Sequence, residues 1–150
     1  MPKFEKIPVI IDTREQTPWE FDDEMFTTER GTLTTADYSI RGLTDVVGCE
    51  RKSLGDAVGT FIAGWSRFRR ELYRLSAMDY PLIVIECNLE DILAHRYESD
   101  ASPASVLGRI NSIIIDHGIN VVCWGSRATS ITMVERYLIQ LHKKLGGVPQ

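Results

Sequence analysis

TDVVGCERKSLGDAVGTFIAGWSRFRRELYRLSAMDYPLIVIEC, residues 44–87, reads as a strand, a helix and a second strand, and that succession decides the fold. Residues 44–52 read as a strand, with the apolar run 46–49 (VVGC) leading into the charges of Glu50, Arg51 and Lys52. Ser53 followed by Asp56 forms a loose capping box, with the acid at the positive end of a helix dipole. Val58, Phe61, Trp65, Phe68, Leu72 and Leu75 then recur at steps of three and four, which predicts one long helix with a continuous apolar stripe. Gly59 and Gly64 weaken it by roughly 1 kcal/mol each relative to alanine. Residues 80–87 (YPLIVIEC) are apolar enough to be covered on both faces, as in a central parallel strand. A strand, a helix and a parallel strand imply a right-handed crossover.

Outward from this core, residues 32–40 pair with residues 44–52 as an antiparallel hairpin around Arg41, Gly42 and Leu43. Residues 6–12 (KIPVIID) read as a buried strand that delivers Asp12 at its carboxyl end, and residues 13–31 as a long surface loop. Ser102 and Pro103 open a helix with Val106, Leu107, Ile110 and Ile114 inward, ended by Asp116, His117 and Gly118. Residues 119–124 form a further strand, and a last helix runs over residues 129–145 to a stop at Gly146. The prediction is a three-layer α/β protein, a central mixed β-sheet flanked by helices, with residues 1–150 as a single domain.

With 43% hydrophobic and 25% charged residues the composition excludes disordered and fibrous classes. The longest apolar runs fall far short of the roughly 20 residues of a spanning helix, and residues 1–6 lack the apolar region of a secretory signal, so a cytoplasmic location away from membranes is expected. Cys49, Cys87 and Cys123 lie far apart without a CxxC pair, which favours buried reduced thiols over a zinc site. A net charge of −4 argues against coating nucleic acid through bulk charge, so any DNA contact needs a local patch.

Glu50 and Lys52, two apart on a strand, leave the same face, while Arg51 points the other way. Asp37, from the other arm of the hairpin, reaches that face if the register cooperates. Two carboxylates and one ammonium suit phosphodiester hydrolysis, in which a metal activates water and a cation steadies the transition state. Asp37 and Glu50 are the candidate magnesium ligands, with a backbone carbonyl such as that of Arg51, because magnesium takes few carboxylates and keeps several waters. An E-x-K triplet alone is more often a solvated salt bridge contributing about 0–1 kcal/mol. The wider setting favours chemistry, since Asp12 and Glu15 flank Arg14 after a buried strand and Asp56 begins the next helix.

The segments IDTRE (11–15), TADYS (35–39) and ERKSLGD (50–56) resemble the successive motifs of the XPF-type structure-selective endonucleases, of the restriction-endonuclease-like superfamily. The resemblance continues through the long helix, the IVIE strand and HGINVV at 117–122, so it spans nearly the whole chain. It implies a catalytic set of Asp12, Arg14, Glu15, Asp37, Glu50, Arg51, Lys52 and Asp56, with Ala36 where the family carries glycine. It implies Mg2+ or Mn2+ as cofactor, branched, flapped or distorted DNA as substrate, a repair, recombination or replication setting, and homodimers or heterodimers formed through the nuclease domain. The helix-hairpin-helix domain that often follows this fold has no counterpart among these residues.

Arg67, Arg69, Arg70 and Arg74 lie along the long helix; Arg67, which the resemblance favours, Arg70 and Arg74 are the candidate DNA phosphate contacts, against a solvated helix face as the plainer reading. Of the tryptophans, Trp65 and Trp124 belong to apolar elements, which leaves Trp19 to stack on a base. The competing functions are a catalytically silent DNA-binding or scaffold domain that partners an active nuclease, and a duplex nuclease with sequence preference.

Overall fold

A computed structural model describes residues 5–146; residues 1–4, part of the amino-terminal stretch read above as lacking a secretory signal, and residues 147–150 lie outside the described residues. The strands are β1 (Ile7–Asp12), β2 (Phe26–Gly31), β3 (Tyr38–Ile40), β4 (Val47–Ser53), β5 (Tyr80–Glu86) and β6 (Asn120–Cys123). The helices are α1 (Leu54–Phe61), α2 (Trp65–Ser76), α3 (Leu89–Leu93), α4 (Pro103–His117) and α5 (Arg127–Lys144). The strands form one six-stranded sheet in the order β2-β1-β3-β4-β5-β6. β3 runs antiparallel to β1 and β4, and the pairs β1–β2, β4–β5 and β5–β6 are parallel, so the sheet is mixed as expected.

Alternation along the strands divides the interior in two. Ile83 and Ile85 of β5 join a core with α1, α2 and α4, while Leu82 and Val84 join Val9, Tyr38, Ile40, Cys49 and the α5 residues Val134, Leu138 and Leu141 on the opposite face. Both faces of β5 are therefore covered, which is why its sequence is apolar without a period of two. Among the described residues no helix is long and apolar enough to cross a membrane. Cys49 and Cys87 are buried, Cys123 is half-buried, and all three are free thiols.

Four expectations need correction. Residues 13–31 are not all loop, because residues 26–31 add β2 as a parallel edge strand beside β1. The residues of β2 between Phe26 and Gly31 are exposed and polar, TTER, so the edge carries none of the apolar signal of an inner strand. The first arm of the hairpin shortens from residues 32–40 to Tyr38–Ile40.

The long helix is two helices. α1 closes at Ile62, and the Gly64 amide donates across five residues to the Gly59 carbonyl, a widened turn from which α2 restarts. A side chain at Gly64 would crowd the Thr60 carbonyl, so glycine permits the break. The apolar stripe survives it: Val58, Phe61, Phe68, Leu72 and Leu75 are buried, and Trp65 lies half-buried under the Arg109 guanidinium, 4.5 Å from its ring centre. On α4 the inward positions are Val106, Ile110 and Ile113, whereas Ile114 is 41% exposed. The Ser102 cap, Pro103 in the first turn and a left-handed Gly118 at the end stand as read.

Candidate active site

The alternation that sorts the core also sorts the charges. On β4, Cys49 belongs to the α5 face, so Arg51 follows it there, and Glu50 and Lys52 emerge on the face of α1 and α2. On β1, Val9 and Ile11 face α5, so Asp12 emerges beside Glu50. Asp37, one residue before β3, joins the same side; its amide donates to the Cys49 carbonyl, and its Oδ2 accepts the Arg51 amide at 2.8 Å. Asp12, Arg14, Asp37, Glu50, Lys52, Glu71 and Arg74 line one pocket of about 250 Å³ with residues 34–36.

Inside it the acids differ in how they are satisfied. Asp12 accepts the Leu33 amide at 2.9 Å, the Arg14 amide at 3.2 Å and the Arg14 Nε at 2.7 Å. Burial pushes its carboxyl up, but the Arg14 side chain and those amides outweigh this and hold it below the usual carboxylate range. Glu50 is 7% exposed, and among the described residues its one hydrogen-bond partner is the Asp37 carboxyl. Burial, then that contact and the Asp37 charge, hold Glu50 well above the usual range, against the opposing pull of Lys52.

Lys52 extends toward the Phe68 ring, 5.4 Å from its centre, and makes no ion pair among the described residues. The plain alternative for the E-x-K triplet, a solvated Glu50–Lys52 salt bridge, is thereby excluded, since Glu50 is buried against Asp37 instead. Ala36 at the pocket wall adopts φ 70°, the left-handed region that suits glycine. Alanine keeps the backbone turn that presents Asp37 despite the added methyl.

Other expected members lie elsewhere. Arg51 projects behind the sheet, where it pairs with Glu86 at 2.8 Å and Glu15 at 3.6 Å. Glu86 also accepts the Trp19 indole N–H at 3.0 Å and stands 3.7 Å from Arg127; Glu15 accepts the Tyr38 hydroxyl at 3.1 Å. Glu15 and Arg51 thus belong to a buried ionic cluster on the far side of β4, separated from the pocket by the sheet. Asp56 is exposed on the first turn of α1, its amide capped by the Ser53 hydroxyl, and it does not line the pocket.

Arg74 lines the pocket, while Arg67 and Arg70 stand exposed on α2 nearby. Trp19 cannot stack on a base without local rearrangement: it is 1% exposed and lies on the Tyr38 ring, with centroids 4.7 Å apart. Glu71 escaped sequence reading. It sits on α2 among four arginines as one more charge, and only the docking of α2 on β4 brings it to the acids. Its placement three residues before Arg74 and four after Arg67 was the available signal.

A mixed sheet with helices on both faces, carrying acids and a lysine into one pocket from neighbouring strands, defines the restriction-endonuclease-like α/β class. Residues 11–137 match the family model of the ERCC4 domain. The chain belongs to that family and is an XPF-type nuclease domain. It is similar to the structure of XPF from Aeropyrum pernix, with a TM-score of 0.69 and 20% identity over 86% of this chain and 58% of the other. It is also similar to XPF from Aeropyrum pernix in complex with DNA, with a TM-score of 0.69 and 19% identity over 93% of this chain and 66% of the other. The chain spans less than two thirds of either structure's length. Among curated proteins none matches.

Proposed function

We propose that the domain is a metal-dependent endodeoxyribonuclease that hydrolyses phosphodiester bonds at branched, flapped or distorted DNA, in repair, recombination or replication. The observation that carries this reading is the shared pocket of Asp37, Glu50 and Lys52, in which the two carboxyls touch. Two acids in contact, one of them buried without an N–H donor, are favourable only when a proton or a cation enters between them.

The donor set fits Mg2+ or Mn2+, because all the ligating atoms are hard oxygens. Among the described residues no group of three or more histidine, cysteine or acidic side chains is placed to hold a metal, so the proposed ion would take Asp37 and Glu50 as its two carboxylates and water for the rest of its shell. Such an ion supplies activated water and neutralises phosphate charge. Lys52, free of an ion pair, donates to the phosphate or to the attacking water as negative charge develops. Arg74 at the pocket and Arg67 and Arg70 beside it grip flanking phosphates, each guanidinium spanning two oxygens. Asp12 and Arg14 shape the pocket wall, since Asp12 ties the chain at Leu33 to the end of β1.

By analogy with the family, the domain is proposed to work as a homodimer or heterodimer. The test is a cleavage panel of duplex, single-stranded, flap and fork DNA with Mg2+ or Mn2+, run on the wild type and on Asp37→Asn and Lys52→Ala. Nicking of flap or fork DNA by the wild type, lost with chelator and in both folded variants, is the expected result. Salt-sensitive DNA binding with no cleavage in either metal overturns it in favour of a silent scaffold.

A further inference from the structure

Glu71 is the acid of the pocket that comes from a helix, α2. Its side chain lines the pocket next to Arg74, and its charge acts on Glu50 inside and on Arg14, whose side chain is 70% exposed. Glu71 is half-buried, and among the described residues neither a hydrogen bond nor an ion pair holds it, although Arg67, Arg70 and Arg74 share its helix. A carboxylate surrounded by arginines and paired with none of them is not there to stabilise the helix.

A second observation points to a ligand at this place. Glu50, more than nine-tenths buried, is aimed into the same pocket and meets only the Asp37 carboxyl. Asp37, Glu50 and Glu71 then act on one small space, beside an Asp12 already satisfied by Arg14 and two amides. They are not close enough together to hold a metal ion as a group of three, so Glu71 stands back from the Asp37–Glu50 contact, within reach of its charge but outside direct ligation. Magnesium and manganese keep several of their waters, and a carboxylate at this remove is placed to accept a hydrogen bond from one of them. The groups facing it are Asp12 and Arg14 from the β1 end, Asp37, Glu50 and Lys52 from the hairpin, and Arg74 from its own helix.

We propose that Glu71 is a positioning residue that accepts a hydrogen bond from water on the divalent ion held by Asp37 and Glu50, and that it makes the grip on DNA depend on that ion. This rests on the ion site proposed above. Without the ion, Glu71 adds negative charge where a phosphate must sit. With the ion, the same charge helps to hold it, and the pocket turns attractive to the phosphate.

The experiment compares the full chain with Glu71→Gln and Glu71→Asp in the absence of cleavage. Mn2+ binding is measured without DNA by electron paramagnetic resonance of the free ion. Fork-DNA binding is measured by fluorescence anisotropy in EDTA and in Ca2+. The glutamine variant is expected to bind Mn2+ about 10-fold more weakly with an unchanged melting temperature. It should bind fork DNA a few-fold more tightly than the wild type in EDTA, so that its gain on adding Ca2+ shrinks. The aspartate variant keeps the charge and therefore the wild-type affinity in EDTA, while its shorter reach still weakens Mn2+. If the wild type binds one Mn2+ and the glutamine variant matches it, this inference falls and the ion site stands. If the wild type binds no Mn2+, the ion site fails and takes the inference with it.

Discussion

Glu50 offers the sharpest measurement, because its burial makes an opposite demand on stability and on function. In the folded chain, burial and the Asp37 contact hold its carboxyl well above the ordinary value of 4.5. Between 4.5 and the folded value the native state keeps a proton that the unfolded chain has released. Stability from this group is therefore greatest below 4.5 and falls as the pH rises through that window.

Glu50→Gln removes the titration and keeps the shape, and its amide can donate to the Asp37 carboxylate. A hydrogen bond to a charged acceptor contributes roughly 1.5–3 kcal/mol. For a chain of this size each kcal/mol moves the melting temperature by about 2–4 °C. Without metal at neutral pH, the variant is expected to melt several degrees above the wild type, by calorimetry or circular dichroism, and the gap should close toward pH 4.5. Added Mg2+ or Mn2+ should raise the wild type, by about 2.7 kcal/mol at 100 times the dissociation constant, and leave the variant unmoved. A variant that melts lower than the wild type at neutral pH, or that still gains stability from the metal, refutes the picture of two acids waiting for a cation.

Asp37→Asn and Lys52→Ala should each lower the single-turnover cleavage rate on fork DNA by about 100-fold or more, with circular dichroism unchanged. Arg51→Ala leaves Glu86 buried without its closest cation and is expected to cost about 3–5 kcal/mol in a denaturant titration, far more than any pocket substitution; a loss under 1 kcal/mol contradicts the buried cluster. At Ala36, glycine relieves about 1–2 kcal/mol of left-handed strain. That gain is offset by the lost burial of a methyl, about 0.8 kcal/mol, and by a looser unfolded chain, so Ala36→Gly should fall within about 1 kcal/mol of the wild type. Ala36→Val, β-branched at positive φ, should cost about 2 kcal/mol or more in the same titration.

The parts of the molecule legible from residue order are those governed by local rules. Period two on β4 put Glu50 and Lys52 on one face and Arg51 on the other, and the apolar run of β5 placed that strand inside. Cap and stop residues bounded α4 within a residue or two. What stayed hidden depends on contacts between distant segments. β2 gains its strand character from pairing with β1 and not from its own polar residues. Trp19 is buried because Tyr38 and Glu86, far along the chain, receive its ring and its N–H. Glu15 follows Asp12 by three residues, yet the turn after β1 carries it to the opposite side of the sheet. Glu71 enters the site through the angle at which α2 restarts after the break near Gly64, and no periodicity encodes that angle.

Asp12 and Glu50 show how the site separates support from chemistry. Both are buried acids on one face of the sheet, Asp12 at the end of β1 and Glu50 in the middle of β4. Asp12 is met by two amides and a guanidinium, so its charge is already stabilised and it has little left to offer an ion. Glu50 is met by another acid. A fold selected for stability alone would give Glu50 a donor of its own. Instead the cation nearest in sequence, Arg51, is spent behind the sheet on Glu86 and Glu15, where it anchors β4 to β5 and to the turn after β1. Holding that strand from behind leaves Asp37 and Glu50 without a cation of their own yet fixed in place. A site that must take up a divalent ion with little reorganisation needs both of those properties.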